Sequence, residues 1–217
     1  MDRIKKIASL TRGSKVVCDI GCDHAYALVY AIKEYGVEKG IAADISLGPL
    51  LNAKKTIEEY HLEQQIKTIL SDGFDAISSQ DFDTAIIAGM GGILMCDILN
   101  KALPKLKGKK LILEANSDTY RIRKLLSENG FRIVEENALY DHEKYYEIVV
   151  FEEGNSNYDS LDILYGPQLR RVKPQSFVKC YQKKLDLLSS ILPQIKDEKE
   201  KEEKLSQYKE IQAILEG

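Results

Sequence analysis

Acidic residues recur where successive predicted strands end, and a carboxylate at that position can bind a ligand. Asp19 lies near the end of the first apolar run, and Gly21 follows it, where the chain can turn beneath a ligand because no Cβ is in the way. Asp44 ends the second strand, where a carboxylate can accept hydrogen bonds from both hydroxyls of a ribose. Asp72 and Gly73 follow the third strand, where the acid can accept from an adenine amino group. This recurrence indicates a cofactor that carries a nucleoside.

The glycine pattern and the charge of the first turn argue against a dinucleotide such as NAD. A dinucleotide-binding turn reads G-x-G-x-x-G, whereas Gly21 is followed by Cys22, Asp23 and His24. Asp19 and Asp23 would repel a pyrophosphate, but they suit the positively charged amino group and sulfonium of S-adenosylmethionine. The segment therefore favours S-adenosylmethionine over a nicotinamide cofactor.

The elements that would position these side chains alternate between short β-branched runs and longer helical stretches, which is typical of βαβ units and a parallel sheet. The carboxyl ends of parallel strands meet at one edge of the sheet, and ligands of open α/β sheets bind there. Strands are predicted at residues 15–20, 39–44, 66–70, 82–88 and 109–115, and helices at residues 25–35, 47–60, 92–101 and 119–129.

The pattern changes after the fifth strand. Residues 131–140 and 144–152 are strand-like runs, and the three residues between them allow only an antiparallel hairpin. By analogy with known folds, a parallel sheet closed by such a hairpin is typical of a Rossmann-like class I methyltransferase, an α/β fold. Apolar spacings of three and four then predict two helices packed as a small all-α coiled coil. We divide the chain into a catalytic domain, residues 1–156, and a coiled-coil domain, residues 157–217.

Composition restricts the class of protein further. Of 217 residues, 44% are hydrophobic and 30% are charged, which is ordinary for a folded globular chain. No apolar run approaches the roughly 20 residues that span a bilayer, and the N-terminus lacks the apolar core of a signal peptide. We therefore expect a cytoplasmic protein. The four cysteines lie too far apart to form two CxxC pairs, so we predict no metal site.

Positive charge is unevenly distributed, although the net charge is −3. Residues 163–185 contain no acidic residue and carry Arg170, Arg171, Lys173, Lys179, Lys183 and Lys184, and Arg3, Lys5 and Lys6 lie near the start. Such a stretch is either a solvated surface or a set of phosphate contacts that position a nucleic acid.

Five segments together resemble the bacterial tRNA (adenine-22-N1)-methyltransferase family, TrmK. They are DIGCDHAY at residues 19–26, IAAD at 41–44, IAGMGG at 87–92, YYEI at 145–148 and YGP at 165–167. The resemblance runs from about Arg3 to Tyr181, and the last forty residues match only in helical character. The chain departs from the family pattern at Ala115, where a proline is expected, and at Lys124, where a tryptophan is usual.

The resemblance implies transfer of the methyl group of S-adenosylmethionine to N1 of an adenine, expected at position 22, in tRNA. The predicted cofactor-binding residues are Asp19, Gly21, Cys22, Asp44, Ile45, Asp72, Gly73, Ala88, Gly89 and Met90. The predicted catalytic residues are Asp23, His24, Tyr26 and Asn116. The predicted substrate-binding residues are Gly91, Gly92, Tyr145, Tyr146, Arg3, Lys6, Arg170, Arg171 and Lys173.

The chemistry of this reaction explains the predicted roles. Adenine N1 carries an in-plane lone pair and no proton, so methyl transfer needs alignment and desolvation more than a strong base. Asn116, or the backbone carbonyls of residues 88–90, would accept from the adenine N6 amino group, and tyrosines would stack on the base. Asp23 would stabilise the developing positive charge, and His24 would contact substrate or take a proton from N6.

Three alternatives remain open at this point. A class I methyltransferase of another RNA, a protein or a small molecule would share the cofactor acids but would not need the basic stretch. A non-catalytic tRNA-binding protein would show no turnover. A nicotinamide-dependent oxidoreductase is argued against by the missing glycines. For the assembly, we expect a monomer or a weak dimer.

Overall fold

Seven strands form one sheet in the order β3-β2-β1-β4-β5-β7-β6 in the computed structural model, which describes residues 2–217. Strands β1 to β5 pair in parallel, and β7 runs antiparallel to both β5 and β6. The strands are β1 (Val16–Ile20), β2 (Lys39–Asp44), β3 (Ile66–Leu70), β4 (Thr84–Met90), β5 (Lys110–Ala115), β6 (Phe131–Asp141) and β7 (Lys144–Glu153). The predicted parallel sheet with a closing antiparallel hairpin is confirmed.

Helices cover both faces of this sheet. They are α1 (Asp2–Ser9), α2 (Tyr26–Tyr35), α3 (Leu47–Glu59), α4 (Gly92–Leu106), α5 (Thr119–Glu128), α6 (Ser160–Tyr165), α7 (Leu169–Val172), α8 (Gln175–Ile191) and α9 (Glu198–Glu216). Alternate residues of each central strand point into separate cores, so Cys18 packs on one face of β1 and Val17 on the other. Burial on both faces explains why these strands are continuous apolar runs.

The N-terminal helix α1 is an element that the sequence patterns did not predict. Ile7 and Ala8 are fully buried in the core that also contains Val17, and α1 packs against α2 and β6. The basic residues Arg3, Lys5 and Lys6 had been interpreted as phosphate contacts, without a helix to carry them. This docking places Arg3 and Ile4 beside the carboxyl ends of the strands.

The two long C-terminal helices, α8 and α9, are present and pack against each other through a third apolar cluster. It contains Phe177, Tyr181 and Leu185 of α8 with Ile211 of α9. The preceding segment is bound to the sheet, because the Gln168 side chain is hydrogen-bonded to the backbone of β6 on both its oxygen and its nitrogen. A separate domain beginning at residue 157 stays a prediction.

One predicted helix and one predicted strand differ from the structure by two or more residues at their ends. Helix α4 continues to Leu106, past the predicted end at residue 101 and through Pro104. Strand β4 begins at Thr84 rather than residue 82 and runs on to Met90. No helix within residues 2–217 combines the length and apolar character that crossing a membrane requires.

Candidate active site

The turn after β1 forms the floor of the site. The N–H groups of Gly21 and Cys22 both donate to the carbonyl oxygen of Ala43, at 2.8 and 3.2 Å, which ties this turn to the end of β2. Gly21 has φ +77°, and a Cβ there would lie 2.9 Å from the Met90 side chain. A side chain at position 21 would therefore occupy the space above the turn, as expected of a cradle for a ligand.

Asp19 is a buried acid at this turn. Burial raises its pKa from the ordinary value of 3.8 to about 7, and the Asp44 carboxylate adds to the rise. A buried acid beside a second carboxylate binds a cation favourably, because the cation compensates both the lost hydration and the repulsion. The donor set therefore fits a positively charged ligand group such as an ammonium or a sulfonium.

A cavity of about 370 Å³ opens beside Asp19 and Gly21. It brings together three of the four predicted catalytic residues, Asp23, His24 and Tyr26, and α1 contributes a wall. The His24 ring stacks on Tyr26 with ring centroids 5.7 Å apart, and its Nε2 lies 3.5 Å from the Asp23 carboxylate. The cavity is large enough for a purine-sized ring with neighbouring groups.

The predicted nucleoside side of the site is an open shelf at the ends of β2 and β3. The Asp44 side chain accepts from the N–H of Ser46 at 2.8 Å, and the exposed Asp72 carboxylate lies 3.9 Å from the Lys101 ammonium. Large apolar side chains near the ends of β2 and β3 and in the first turns of α3 and α4 are exposed, and exposed apolar residues that group together are typical of a binding site. They are Ile45, Leu47, Leu70, Ile93 and Leu94.

A β-bulge at Gly89 faces the same cavity. The register between β4 and β5 shifts between Ala88 and Met90, which leaves Gly89 unpaired with φ +80°. Its carbonyl oxygen accepts from the Asn116 side-chain amide at 2.6 Å, and its N–H donates to the Glu114 carboxylate at 3.1 Å. Asn116 also accepts from the Lys144 ammonium at 2.9 Å. The predicted residues Gly89 and Asn116 are thus joined directly.

Glu114 is a residue that the sequence reasoning missed. It is completely buried on β5 and forms an ion pair with Arg3 of α1. Burial raises the pKa of Glu114, and Arg3 and the Gly89 N–H oppose the rise. The available signal was an acid within the apolar run of residues 111–115, since a charged residue inside a buried strand requires a partner.

The predicted phosphate contacts differ in whether an acidic side chain of the protein already pairs with them. Arg170 is ion-paired with Asp159 and Asp162 at 2.7 Å, and the exposed Arg171 pairs with Asp162 at 3.1 Å. Arg3 is likewise paired with Glu114, and Lys6 lies 3.7 Å from Glu135. A phosphate contact by Arg3 or Arg170 would have to break these pairs. The half-exposed Lys173 lies just after α7.

Lysines of α8 instead meet aromatic residues at the tip of the β6–β7 hairpin. Lys179 and Lys183 lie over the Tyr140 ring, at 4.6 and 5.6 Å, and Tyr140 contacts Tyr145. In the described chain, residues 2–217, no ion pair includes Lys179, Lys183 or Lys184. We call Lys179, Lys183 and Lys184 the α8 lysines.

The two predicted substrate tyrosines have different surroundings. The Tyr145 hydroxyl donates to Glu147 at 3.1 Å, and burial raises the pKa of Tyr145. The Tyr146 ring is contacted by Arg3 at 4.7 Å and by the Lys144 ammonium at 5.0 Å. Both rings lie on β7, but these contacts leave their predicted stacking on a base a prediction.

The sequence segments YYEI and YGP meet at a buried ion-pair network. Arg123 of α5 donates to Glu136 at 2.8 Å and to Glu147 at 2.7 Å. Burial alone would lower the pKa of the Arg123 guanidinium, but these two carboxylates outweigh it and raise the pKa. A Cβ at Gly166 would lie 2.6 Å from the Glu136 carboxylate, so only glycine fits there. This network joins the hairpin to the C-terminal helices.

Within residues 2–217, no group of three or more His, Cys, Asp or Glu side chains is placed to hold a metal ion. The sheet order with an antiparallel β7, the glycine turn after β1 and the acids at the carboxyl edge together define a class I methyltransferase.

Comparison with known proteins identifies the family. The family model TrmK, tRNA (adenine(22)-N(1))-methyltransferase, matches residues 17–216. The tRNA (adenine(22)-N(1))-methyltransferase of Bacillus subtilis (strain 168) is 33% identical over 216 residues, covering 96% of this chain and 91% of that protein. The chain therefore belongs to the TrmK tRNA (adenine(22)-N(1))-methyltransferase family, as its motifs had predicted.

Solved structures agree with this assignment over nearly the whole chain. Streptococcus pneumoniae Sp1610 in complex with S-adenosyl-L-methionine matches with a TM-score of 0.92 and 30% identity, covering 99% of each chain. The crystal structure of Bacillus subtilis TrmK matches with a TM-score of 0.87 and 30% identity, covering 98% of this chain and 97% of that one.

Proposed function

We propose that this protein transfers the methyl group of S-adenosylmethionine to N1 of adenine 22 in tRNA. The observation that carries the proposal is the position of the buried acid Asp19 between an apolar nucleoside shelf and a purine-sized cavity. Membership of the TrmK family supports the choice of substrate.

The residues at the ends of the first three strands would hold the cofactor. Asp19 would face its positively charged groups, and Asp44 would accept from the ribose hydroxyls. The adenine would lie against the apolar shelf near Asp72 and Gly73, and Cys22, Ile45, Ala88 and Met90 would complete the contacts. When bound, the cofactor supplies an electrophilic methyl group on a sulfonium.

The cavity beside Gly21 would receive the target base. Tyr26 and His24 form a stacked pair that offers an aromatic face, and Asp23 supplies negative charge where the methylated ring becomes positive. The Asn116 oxygen, held by Lys144, faces away from the Gly89 carbonyl and would accept from the adenine N6 amino group. Gly91 and Gly92 would allow close approach of the backbone. These groups position and desolvate the target adenine, so the reaction does not require a strong proton acceptor.

The α8 lysines and the aromatic hairpin tip offer a surface for the rest of the tRNA. Lys184 lines a pocket together with Asn116 and Tyr145, so phosphates bound at this surface would lie next to the Asn116 loop. A tRNA substrate is consistent with the predicted cytoplasmic location. We keep a monomer or weak dimer as the proposed assembly.

The test is methylation of unmodified tRNA transcripts by the purified protein with radiolabelled S-adenosylmethionine, followed by nucleoside analysis. We expect 1-methyladenosine with adenine at position 22 and none with guanine at that position. The Asp44→Ala variant should lose cofactor binding and activity together. Cofactor binding without tRNA labelling would refute the proposed substrate and favour another class I methyltransferase or a non-catalytic tRNA-binding protein.

A further inference from the structure

Gly89 is the unpaired residue of the bulge, and one side chain of β5 and one directly after this strand satisfy both of its backbone groups. Glu114 accepts from its N–H, and Asn116 donates to its carbonyl oxygen. Glu114 lies on β5 and Asn116 directly follows this strand, and both side chains reach Gly89. The conformation of the bulge thus depends on these two side chains.

Glu114 is itself held from the other side by the N-terminal helix. Arg3 donates to Glu114 Oε2, the same oxygen that accepts from Gly89. The Arg3 guanidinium also lies over Tyr146, and Lys144 contacts both Tyr146 and the Asn116 oxygen. The contacts therefore form a closed ring from α1 through the bulge to the hairpin, and two of its members, Arg3 and Gly89, line the cavity.

The burial of this pair calls for a role beyond stability. The Glu114 side chain is fully buried, its Oε1 atom has no hydrogen-bond partner among the described residues, and the Arg3 side chain is only 21% exposed. A buried ion pair of this kind contributes little stability compared with an apolar pair of the same volume. What it does provide is a charged acceptor at a defined place for the Gly89 N–H.

We propose that Glu114 and Arg3 are positioning residues for methyl transfer: their ion pair holds the Gly89 bulge and, through it, the Asn116 amide in the orientation that receives the target base. The Gly89 carbonyl accepts from the amide nitrogen of Asn116, so the amide oxygen, which accepts from Lys144, is turned away from Gly89. An outward acceptor matches the N6 amino group of adenine. This inference rests on the proposed function.

The test compares Glu114→Gln with Glu152→Gln, the same change at a half-exposed residue of the neighbouring strand β7, near the amino-terminal end of β5. Thermal unfolding and calorimetric affinity for S-adenosylmethionine establish that each variant is folded and binds cofactor. Single-turnover methylation is then measured on two transcripts, one with adenine and one with purine, which lacks the amino group, at position 22.

For Glu114→Gln we expect a fall in the methylation rate of at least about tenfold, because small displacements of positioning groups cost this much or more. We expect cofactor affinity within about twofold of the original protein and a smaller preference for adenine over purine. Arg3→Lys, which keeps the charge, should retain more of the rate and the preference than Arg3→Gln. Glu152→Gln should leave both unchanged.

A Glu114→Gln variant with unchanged rate and base preference would overturn the inference. If this variant fails to fold, Arg3→Gln tests the same pair, and an unchanged rate and preference there would equally overturn it. Failure of the original protein to form 1-methyladenosine would refute the proposed function instead, so the two failures are distinguishable.

Discussion

Replacing Asp19 by Asn should strengthen the ligand-free fold while weakening the site. The raised pKa of Asp19 means that the folded chain disfavours its ionised form. A group with this direction of shift contributes stability that is fully present below its unfolded pKa of 3.8 and is lost as the pH rises through about 7. Asparagine keeps the shape and removes the charge, so it should escape this loss.

The magnitude follows from the two pKa values. At about 1.4 kcal/mol for each pKa unit, a rise from 3.8 to about 7 corresponds to about 4 kcal/mol in the free energy of unfolding at pH 8. Local relaxation reduces such costs, so we expect Asp19→Asn to be more stable than the original protein by about 2–4 kcal/mol at pH 8. The difference should shrink as the pH falls and should vanish near pH 4.

Cofactor binding should change in the opposite sense. A cation bound beside Asp19 favours its ionised form, so the affinity of the original protein for S-adenosylmethionine should increase as the pH rises from 5 to about 7. Asp19→Asn should bind about 10- to 100-fold more weakly at pH 8, since a hydrogen bond to a charged group contributes about 1.5–3 kcal/mol. Its affinity should also lose the pH dependence.

The assay is urea unfolding of both proteins at pH 4, 5, 6, 7 and 8, with calorimetric titration of S-adenosylmethionine from pH 5 to 8. Asp23→Asn is the matched control, because Asp23 is exposed and its neutralisation should leave the free energy of unfolding nearly unchanged. The reasoning is refuted if Asp19→Asn is less stable than the original protein at pH 8, or if it binds the cofactor equally well with the same pH profile.

Three further predictions concern Gly92 at the start of α4, the buried ion pairs of Arg123, and the α8 lysines. Gly92→Ala should lower the free energy of unfolding by about 1–3 kcal/mol, because its Cβ would lie 2.6 Å from the Ser117 carbonyl oxygen and 2.7 Å from that of Asp118. An unchanged thermal unfolding midpoint would contradict this. Arg123→Leu should cost about 3–5 kcal/mol in urea unfolding at pH 7, since it leaves the buried Glu136 and Glu147 unpaired. A loss below about 1 kcal/mol would show that the network is not compensating buried charge. Changing the three α8 lysines to Gln should reduce the slope of log affinity for tRNA against log salt by about 2–3. The charge-matched triple change of Lys199, Lys201 and Lys204 on α9 should leave that slope as it was, and equal effects of the two triples would refute the assignment of the surface.

Much of the fold follows from local patterns in the chain. Strands β2 and β3 coincide with their predicted bounds, because β-branched runs between polar turns specify short buried strands. The predicted link of three residues between the last two strands allows only an antiparallel hairpin, and in the structure the two residues His142 and Glu143 connect β6 to β7. The short amphipathic helix α1 was not predicted, since eight residues form a stable helix only when they dock on a core.

The candidate site, like the fold, could be predicted from the sequence only in part. The acids Asp19, Asp44 and Asp72 could be placed at one edge from sequence, because each ends a parallel strand and parallel strands end at one edge. The burial of each acid could not be predicted from the sequence. Asp19 is buried whereas Asp72 is exposed, and this difference arises from the helices and loops that cover the edge.

The order of elements, the acid-bearing turns and the family follow from the amino-acid sequence alone, since these depend on residue types at short spacings. Which charged side chains pair within the protein depends instead on how distant elements dock. Arg3 pairs with Glu114, 111 positions away, and Arg170 pairs with Asp162, whereas the α8 lysines form no ion pair in the described chain. The physical reason is that the sequence alone does not show whether a charged side chain is hydrated or is paired with a carboxylate or a phosphate. The docking of distant elements removes the water and selects the partner.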